Sequence, residues 1–377
     1  MRTDTANRVL VAGAGIAGSA VVRALHRRGI SALALEQRPG EAGGGLAVNL
    51  PGNAIRALAD LGLAGALDGL GTPLRRRDYR TDGDRLLFAV DEAAFWGPDA
   101  RPRCLRRADL LRLLRRDLPA GAIREGVGVV GHHQDAAGVT VALSDGTVER
   151  GGLLVGADGV HSTVRRGLFG DQAPAAARLA SASWRFMTPN PGLEAWTLWA
   201  GRDGLFLLIP VDADEAYGWA TVQGVGAENA DLGAQSRAFD GFPRRVRDTL
   251  AAVLARPEAI HHAPLEEIRL LSWTRGRVLL AGDAAHATAP VWAQGVALAL
   301  EDALVLADLV ADGTDPDRIG ALYETRRRPR VAHVQAMTDR LSRTARMPGW
   351  ARRLLLPVIG PRSYRATYGP LREPVTG

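Results

Sequence analysis

The sequence predicts an α/β protein in which a mostly parallel sheet is interrupted by an inserted, mostly antiparallel sheet and followed by a helical tail. Short apolar runs typical of buried parallel strands are each followed by a glycine-rich turn, and they cover 9–12, 153–155 and 277–281. Between 180 and 267, aromatic residues recur in β-like runs. From 319 onwards the chain is arginine-rich and helical in character. These three observations favour two sheet layers rather than one.

The first strand, Val9–Ala12, is followed by Gly13-Ala14-Gly15-Ile16-Ala17-Gly18. Gly13 permits a tight turn, Gly15 lets the backbone approach a pyrophosphate, and Gly18 lets the next helix pack against the sheet. That helix presents unpaired N–H groups to the phosphates. The pattern therefore predicts a dinucleotide site.

The second predicted strand, Leu33–Leu35, ends at Glu36. An acidic residue at this position can accept hydrogen bonds from both ribose hydroxyls. Glu36 favours a ribose without a 2′-phosphate, as in FAD or NAD.

Two further glycine motifs follow the later buried strands. Gly156-Ala157-Asp158-Gly159 follows the run at 153–155, and Gly282-Asp283-Ala284-Ala285-His286 follows the run at 277–281. Pro290 and Gln294-Gly295 lie shortly downstream. One glycine-rich loop is weak support for a cofactor, whereas three in this order point to a flavin.

The remaining elements suggest an interrupted domain. We expect a glycine-rich loop at Gly43–Gly45, a helix from Pro51 to Leu61, an amphipathic helix over 105–118, and strands at 127–130, 139–143 and 147–149. A Rossmann-like FAD-binding domain with C-terminal helices is expected over 1–73, 102–179 and 268–377. A substrate-binding sheet domain is expected over 74–101 and 180–267.

Composition excludes several classes of protein. The 377 residues carry a formal net charge of +6, but lysine is absent and the arginines are not interleaved with aromatics, so we expect no nucleic-acid partner. The absence of lysine also excludes a Walker lysine and a Schiff base. The most apolar helix, near 296–310, contains three acidic residues and is not expected to span a membrane.

Compartment and metal binding can be addressed from the same composition. Cys104 is the single cysteine and no apolar signal region follows Met1, so we expect a cytoplasmic protein. The pairs His132-His133 and His261-His262 lack further ligands at metal spacing, so we expect surface residues and no metal site. The oligomeric state is left open.

With these motifs in place, the chain resembles the group A flavoprotein monooxygenases, the family of p-hydroxybenzoate hydroxylase, urate hydroxylase and the tetracycline-inactivating monooxygenases. The resemblance covers nearly the whole chain. It implies that the first loop binds the ADP half of FAD, that the Asp158 motif supports FAD and NAD(P)H use, and that Asp283 contacts the ribityl chain. Arg107, in Arg107-Ala108-Asp109-Leu110, matches a second FAD-binding arginine. The residues expected to contact FAD are Gly13, Ala14, Gly15, Ile16, Ala17, Gly18, Glu36, Gln37, Arg38, Arg107, Val129, Asp158, Asp283, Pro290, Gly295 and Val296.

The chain departs from the family pattern at two places. Gln37 separates Glu36 from Arg38, which are adjacent in the common pattern. Ala293 replaces a glycine in the segment from Pro290 to Gly295, and this replacement stiffens a loop in which glycine would tolerate a positive φ. Trp292 adds a large ring beside the expected flavin.

The resemblance implies a monooxygenase with non-covalent FAD that consumes NADPH or NADH and hydroxylates an aromatic or polyketide-like small molecule through a flavin C4a-hydroperoxide. An epoxidase or Baeyer–Villiger enzyme on the same scaffold is an alternative, and a non-redox cyclase that holds FAD structurally is another. Candidate catalytic residues lining the pocket are Arg185, His286 and Trp292. Core packing is the expected role of Trp196, Trp199 and Trp219.

Overall fold

The computed structural model describes residues 8–40, 46–170, 176–179, 182–222, 224–226, 229, 231–262, 265–288, 292–344 and 349–375. The expected glycine-rich loop Gly43–Gly45, the N-terminal Met1–Thr5 and the FAD-binding candidate Pro290 lie outside these residues.

The helices are α1 Ile16–His26, α2 Gly52–Asp60, α3 Glu92–Trp96, α4 Arg107–Arg115, α5 Thr163–Phe169, α6 Arg244–Leu254, α7 Asp283–His286, α8 Gln294–Ala311, α9 Pro316–Thr344 and α10 Gly349–Tyr368. The strands are β1 Val9–Ala12, β2 Ala32–Glu36, β3 Ala47–Leu50, β4 Arg76–Thr81, β5 Leu86–Asp91, β6 Arg103–Arg106, β7 Ile123–Glu125, β8 Val129–Asp135, β9 Gly138–Leu143, β10 Val148–Gly151, β11 Leu153–Gly156, β12 Ala177–Leu179, β13 Ser183–Pro189, β14 Trp196–Ala200, β15 Gly204–Pro210, β16 Glu215–Val222, β17 His261–His262, β18 Leu265–Glu267, β19 Thr274–Arg275 and β20 Val278–Leu280.

A six-stranded sheet forms the first layer, in the order β19-β20-β11-β1-β2-β7. Its pairs are parallel except for the short β19–β20 pair at one edge. Every residue of β1 and β11 is buried, as expected for strands covered on both faces. The predicted α/β fold class is confirmed, and the three glycine motifs follow β1, β11 and β20.

A seven-stranded sheet forms the second layer, in the order β17-β13-β16-β15-β14-β4-β5. It is antiparallel except where β14 pairs with β4. One face packs against α6 in a hydrophobic core that contains Trp184, Phe186, Trp199, Phe206 and Leu208. Because side chains alternate along a strand, the residues between these point to the opposite face.

Two local predictions differ from the structure. The strand expected over 127–130 is β8, which begins at Val129 and continues to Asp135 because it pairs with β9 down to Gly138. The amphipathic helix begins only at Arg107, since Leu105 belongs to β6 and pairs with Val48 of β3. In both places the ladder of hydrogen bonds overrides the local sequence pattern.

The C-terminal helix α10 is tied to the second sheet by a buried polar cluster. The guanidinium of Arg77, on β4, forms an ion pair with Glu92 at 2.6 Å, and both side chains are buried. The Tyr364 hydroxyl of α10 donates a hydrogen bond to the second Glu92 oxygen at 2.6 Å. None of the helices within the described residues combines the length and apolar character needed to cross a membrane.

Candidate functional site

A cavity of about 1500 Å³ lies where the strand ends of the first sheet, the free face of the second sheet and α10 meet. Pockets for a single small ligand have volumes of roughly 300–1,000 Å³. The cavity is therefore large enough for a dinucleotide together with a second molecule.

The first glycine loop forms one end of the cavity. Gly13 has a φ of +90°, and a Cβ there would stand 2.7 Å from the carbonyl oxygen of Ala157. A Cβ on Gly18 would stand 1.9 Å from the carbonyl oxygen of Gly13. Gly15 differs, because an added Cβ would meet no atom within 4 Å and the residue lines the cavity. The turn thus requires glycine at 13 and 18, whereas the side of Gly15 is open to a ligand.

Glu36 holds this loop in place. One oxygen of its carboxylate accepts a hydrogen bond from the Ala14 backbone N–H at 2.8 Å, and the other accepts from the Arg38 N–H at 3.0 Å. Glu36 also lines the cavity, and each carboxylate oxygen can accept more than one hydrogen bond. A ribose contact at Glu36 is compatible with these bonds and stays a prediction.

Asp158 lies in the second glycine motif, at the start of α5. Its second carboxylate oxygen accepts hydrogen bonds from the backbone N–H groups of Thr163 and Val164, at 2.7 and 3.1 Å. These bonds satisfy N–H groups that the first turn of a helix leaves free. Asp158 lines the cavity as well, so a structural role and a cofactor role are compatible.

Asp283 follows the third buried strand and is open to the cavity, although it lies deep in the molecule. Burial raises the pKa of Asp283, while His286, Arg107 and Arg185 act in the opposite direction. No group within the described residues donates a hydrogen bond to the Asp283 carboxylate. Asp283 is therefore an available acceptor beside the first turn of α8.

His286 does not lie where we expected it. It is buried behind the third motif, does not line the cavity, and its Nε2 lies 2.8 Å from an Asp302 oxygen. The same oxygen of Asp302 accepts from the Gly282 N–H at 2.9 Å, and its other oxygen accepts from Arg327 at 2.7 Å. The expected place of His286 on the pocket wall is thus corrected, because its partner Asp302 holds it on the far side of the loop.

The buried network behind the third motif was not found from the sequence. Burial acts to raise the pKa of Asp302, but His286 and Arg327 hold it well below its usual value. Asp302 therefore stays charged and fixes the turn from which Asp283 projects. The acidic residues within the apolar α8 were the available signal, since buried charges require partners.

The structure brings most of the expected FAD contacts to one cavity. Those that line it are Gly13, Gly15, Ile16, Ala17, Glu36, Gln37, Arg38, Arg107, Val129, Asp158, Asp283, Gly295 and Val296. Ala14 and Gly18 lie behind the cavity wall. The Ala14 N–H donates to Glu36, and Gly18 packs against Gly13.

The other end of the cavity contains buried polar atoms that have no hydrogen-bond partner within the described part of the chain. They are Arg185 Nε, Asn49 Oδ1, Trp196 Nε1, Thr288 Oγ1 and Trp292 Nε1, and all five residues line the cavity. Buried polar groups are nearly always paired, and leaving one unpaired costs about 1–3 kcal/mol. These five unpaired polar atoms therefore belong to residues that share the wall of one cavity.

Two further lining residues add to this picture. Burial raises the pKa of Tyr217 to about 12, so its phenol keeps its proton at neutral pH. Trp219 lines the cavity on the same strand and is only half-buried, which corrects its expected place in the core. Trp196 packs in a small apolar core cluster, as expected, and also lines the cavity. Trp199 is buried on the opposite face, as expected. The alternation of side chains along β16 was the sequence signal that places Tyr217 and Trp219 on the same face of the sheet.

Trp292 is half-buried and forms part of the cavity wall. Its ring packs edge-on against Tyr368 of α10, with centroids 6.1 Å apart, and the Tyr368 hydroxyl donates to the Trp292 carbonyl at 3.1 Å. The next residue, Ala293, has a φ of +54°. The chain therefore places an alanine in the left-handed region that favours glycine.

Comparisons with known proteins agree with one another. The chain matches the FAD binding domain family over residues 6–340. The 3-amino-4-hydroxybenzoate 2-monooxygenase PtmB3 of Streptomyces platensis is 32% identical over 341 residues, covering 87% of this chain and 85% of the relative. A 2-heptyl-3-hydroxy-4(1H)-quinolone synthase of Pseudomonas aeruginosa is 32% identical, covering 87% and 86%. The crystal structure of Klebsiella pneumoniae HpxO complexed with FAD and uric acid is similar with a TM-score of 0.79, at 27% identity, covering 97% and 92%.

Proposed function

The chain belongs to the FAD-binding-domain family of flavoprotein monooxygenases, and we propose that it hydroxylates an acidic aromatic molecule in the cavity between its two sheets. FAD is its cofactor, and NADPH or NADH and molecular oxygen are its co-substrates. When bound, FAD supplies the electron transfer and oxygen activation that protein side chains lack.

We call the end of the cavity formed by the first glycine loop the cofactor end, and its residues fit FAD. The open side of Gly15 and the N-terminus of α1 would hold the pyrophosphate, and Glu36 would hold the ribose. The free carboxylate of Asp283 would accept hydrogen bonds from the ribityl hydroxyls. Gly295 and Val296 line the cavity in the first turn of α8, whose N–H groups would face the flavin ring.

We call the end of the cavity that carries the unpaired polar atoms the substrate end. These atoms are the observation that supports an acidic aromatic substrate. Arg185 Nε would bind an anionic oxygen, because a charge-assisted hydrogen bond satisfies both groups. Tyr217, which keeps its proton, and Thr288 would orient the ring. Relatives named for 3-amino-4-hydroxybenzoate and crystallised with uric acid are in line with a ring of this kind.

Trp292 would exclude water from the reacting centre. Trp292 lines the cavity immediately before α8, its ring packs against Tyr368, and its carbonyl accepts from the Tyr368 hydroxyl. A dry site prevents the oxidant from being lost as hydrogen peroxide. Arg185 and Trp292 are thus the residues that we propose to contact substrate.

We also propose the division into an FAD-binding domain, 1–73, 102–179 and 268–377, and a substrate domain, 74–101 and 180–267. The second sheet is made of strands from the latter two segments, which supports this division. A cytoplasmic site of action is supported by the single, buried Cys104.

Three measurements test the function. Acid precipitation of the yellow purified protein should release one FAD per chain, and FMN, NAD or covalent flavin would contradict the proposal.

Anaerobic NADPH or NADH should bleach the flavin, faster when a bound phenolic acid is present; no bleaching would favour the non-redox cyclase. Mass spectrometry of the product after turnover under labelled oxygen should show one hydroxyl oxygen that comes from O₂. A product with an epoxide or an inserted ester oxygen would contradict hydroxylation and favour the epoxidase or the Baeyer–Villiger alternative.

A further inference from the structure

Six side chains form a row across the second sheet, along the floor of the cavity. Strand register places them side by side in the order Arg185, Trp219, Leu207, Leu198, Tyr79, Phe88. All six residues line the cavity, and we call them the floor row. Neighbouring strands are about 4.8 Å apart, so the five steps from β13 to β5 give the row a length of about 24 Å.

The floor row changes in chemistry from one end to the other. Burial raises the pKa of Asp283, and Arg185 is close enough to oppose that shift, so the cationic end of the row lies on the cofactor side. Leu207 and Leu198 follow, and then the rings of Tyr79 and Phe88, which stack with centroids 4.2 Å apart. Apart from Arg185, no member of the floor row is charged.

Helix α10 covers the apolar end of the floor row. Leu356 and Gly360 line the same cavity from this helix. A Cβ on Gly360 would stand 2.5 Å from the Phe88 ring, so the helix backbone lies directly against that ring. The apolar end of the floor row thus lies beneath α10, where removal of water from apolar side chains favours an apolar ligand.

We propose, building on the function proposed above, that the substrate is an elongated amphipathic aromatic compound. Its hydroxylated ring carries the acidic group that binds Arg185, and an apolar extension lies along Leu207, Leu198 and the Tyr79–Phe88 pair. A single-ring acid would leave the apolar end of the floor row in contact with water. Each methylene buried there strengthens binding about fourfold.

Binding of an alkyl series to the oxidised holoenzyme tests this without turnover. The probes are 2-hydroxybenzoate and its derivatives with an ethyl, butyl or hexyl chain para to the hydroxyl, and the readout is the change in flavin absorbance in the absence of NADPH. We expect the dissociation constant to fall at each step, by at least about a hundredfold from the parent to the hexyl compound. Affinity that is constant or weakens along the series would overturn the proposal.

Filling the apolar end should remove the gain from the longer chains. In Leu198→Phe the parent compound should bind as in the wild type, while the hexyl compound should lose its advantage. The matched control is Leu354→Phe, at an α10 position that is 68% exposed and outside the cavity, where the whole series should behave as in the wild type. If Leu198→Phe does not fold, Leu207→Phe takes its place. An unchanged chain-length dependence in the filled variant would refute the extension site.

The two proposals fail separately. Protein that contains no FAD, or FAD that NADPH and NADH do not reduce, contradicts the proposed function. Quenching of the tryptophans at the cavity, Trp196 and Trp219, then measures the same alkyl series on the protein as purified, so the extension site is still accepted or rejected.

Discussion

The two ends of the cavity are built in different ways. At the cofactor end, polar side chains are satisfied by nearby backbone: Glu36 bonds to the N–H groups of Ala14 and Arg38, and Asp158 to those of Thr163 and Val164. At the substrate end, polar atoms of Asn49, Arg185 and Thr288 come from distant parts of the chain and lack partners within the described residues. The glycine loops of the cofactor end are therefore held by the protein itself, with Asp283 left free to accept from a ligand, whereas we propose that a ligand satisfies the polar atoms of the substrate end.

This difference predicts which substitutions affect folding and which affect only binding or coupling. Where the protein satisfies its own groups, a change destabilises the fold. Where a ligand satisfies them, a change leaves the fold largely intact.

Gly18→Val should have the largest effect. Its Cβ would overlap the Gly13 carbonyl oxygen, and we expect a loss of more than about 4 kcal/mol of unfolding free energy or no folded protein. Gly15→Val is the matched control, since a Cβ at this position would meet no protein atom within 4 Å. The control apoprotein should retain its urea midpoint but bind FAD at least about a hundredfold more weakly, as titration would show. Equal destabilisation of both variants would contradict a ligand-facing Gly15.

Arg77→Met should destabilise the substrate end strongly, because it leaves Glu92 buried without its cation. Loss of one partner of a buried ion pair costs about 3–5 kcal/mol. Urea unfolding measures this, and the double variant Arg77→Met/Glu92→Leu should recover much of the loss. A single variant of unchanged stability would show that α10 is not held by this pair.

Asp283→Ala should weaken FAD binding by about tenfold to a hundredfold, since hydrogen bonds to a charged acceptor contribute roughly 1.5–3 kcal/mol. The apoprotein should not lose stability. Because burial raises the pKa of Asp283, this carboxyl disfavours the folded apoprotein once the pH exceeds that raised pKa, and the variant removes the penalty. FAD titration and apoprotein unfolding at neutral pH measure the two effects; wild-type FAD affinity would refute the ribityl assignment.

Trp292→Ala should keep FAD binding and most of the stability, because the ring is only half-buried. It should raise the hydrogen peroxide released per NADPH consumed. Tyr368→Phe, which removes the bond to the Trp292 carbonyl together with the hydroxyl that accepts a hydrogen bond from Arg77 at 3.3 Å, should have the same effect at a smaller size. If Trp292 were a core residue, its truncation would instead cost about 3–5 kcal/mol. A stable and fully coupled variant would exclude both roles.

Ala293→Gly should have the smallest effect, a stabilisation of about 1 kcal/mol. The alanine occupies the left-handed region at a cost of roughly 1–2 kcal/mol, which glycine would remove. Part of this gain is lost because glycine makes the unfolded chain more flexible. The urea midpoint of the holoenzyme measures it. A lower midpoint would indicate that the loop needs the rigidity of alanine.

Local sequence patterns were sufficient to predict the fold class and the glycine loops of the cofactor end. Gly13, Gly18 and Glu36 act within one strand–turn–helix unit, so their meaning depends on neighbours along the chain and can be predicted from spacing. The family membership rests on the same local motifs. Even here, the tertiary structure corrected His286, because its partner Asp302 lies on α8, outside the motif.

The arrangement of the substrate end could not be predicted from local patterns, because it depends on how distant segments pack. Tyr79 lies far along the chain from Arg185 and Leu198, and strand pairing across the second sheet places the three residues in one row. Alternation along a strand shows that Tyr217 and Trp219 share a face, but it does not show what covers that face. The cover is α10, and its position depends on the buried Arg77–Glu92 pair and on the contact of Gly360 with Phe88. Such contacts between distant segments leave no periodic signal in the sequence, so the shape of the substrate pocket follows from packing alone.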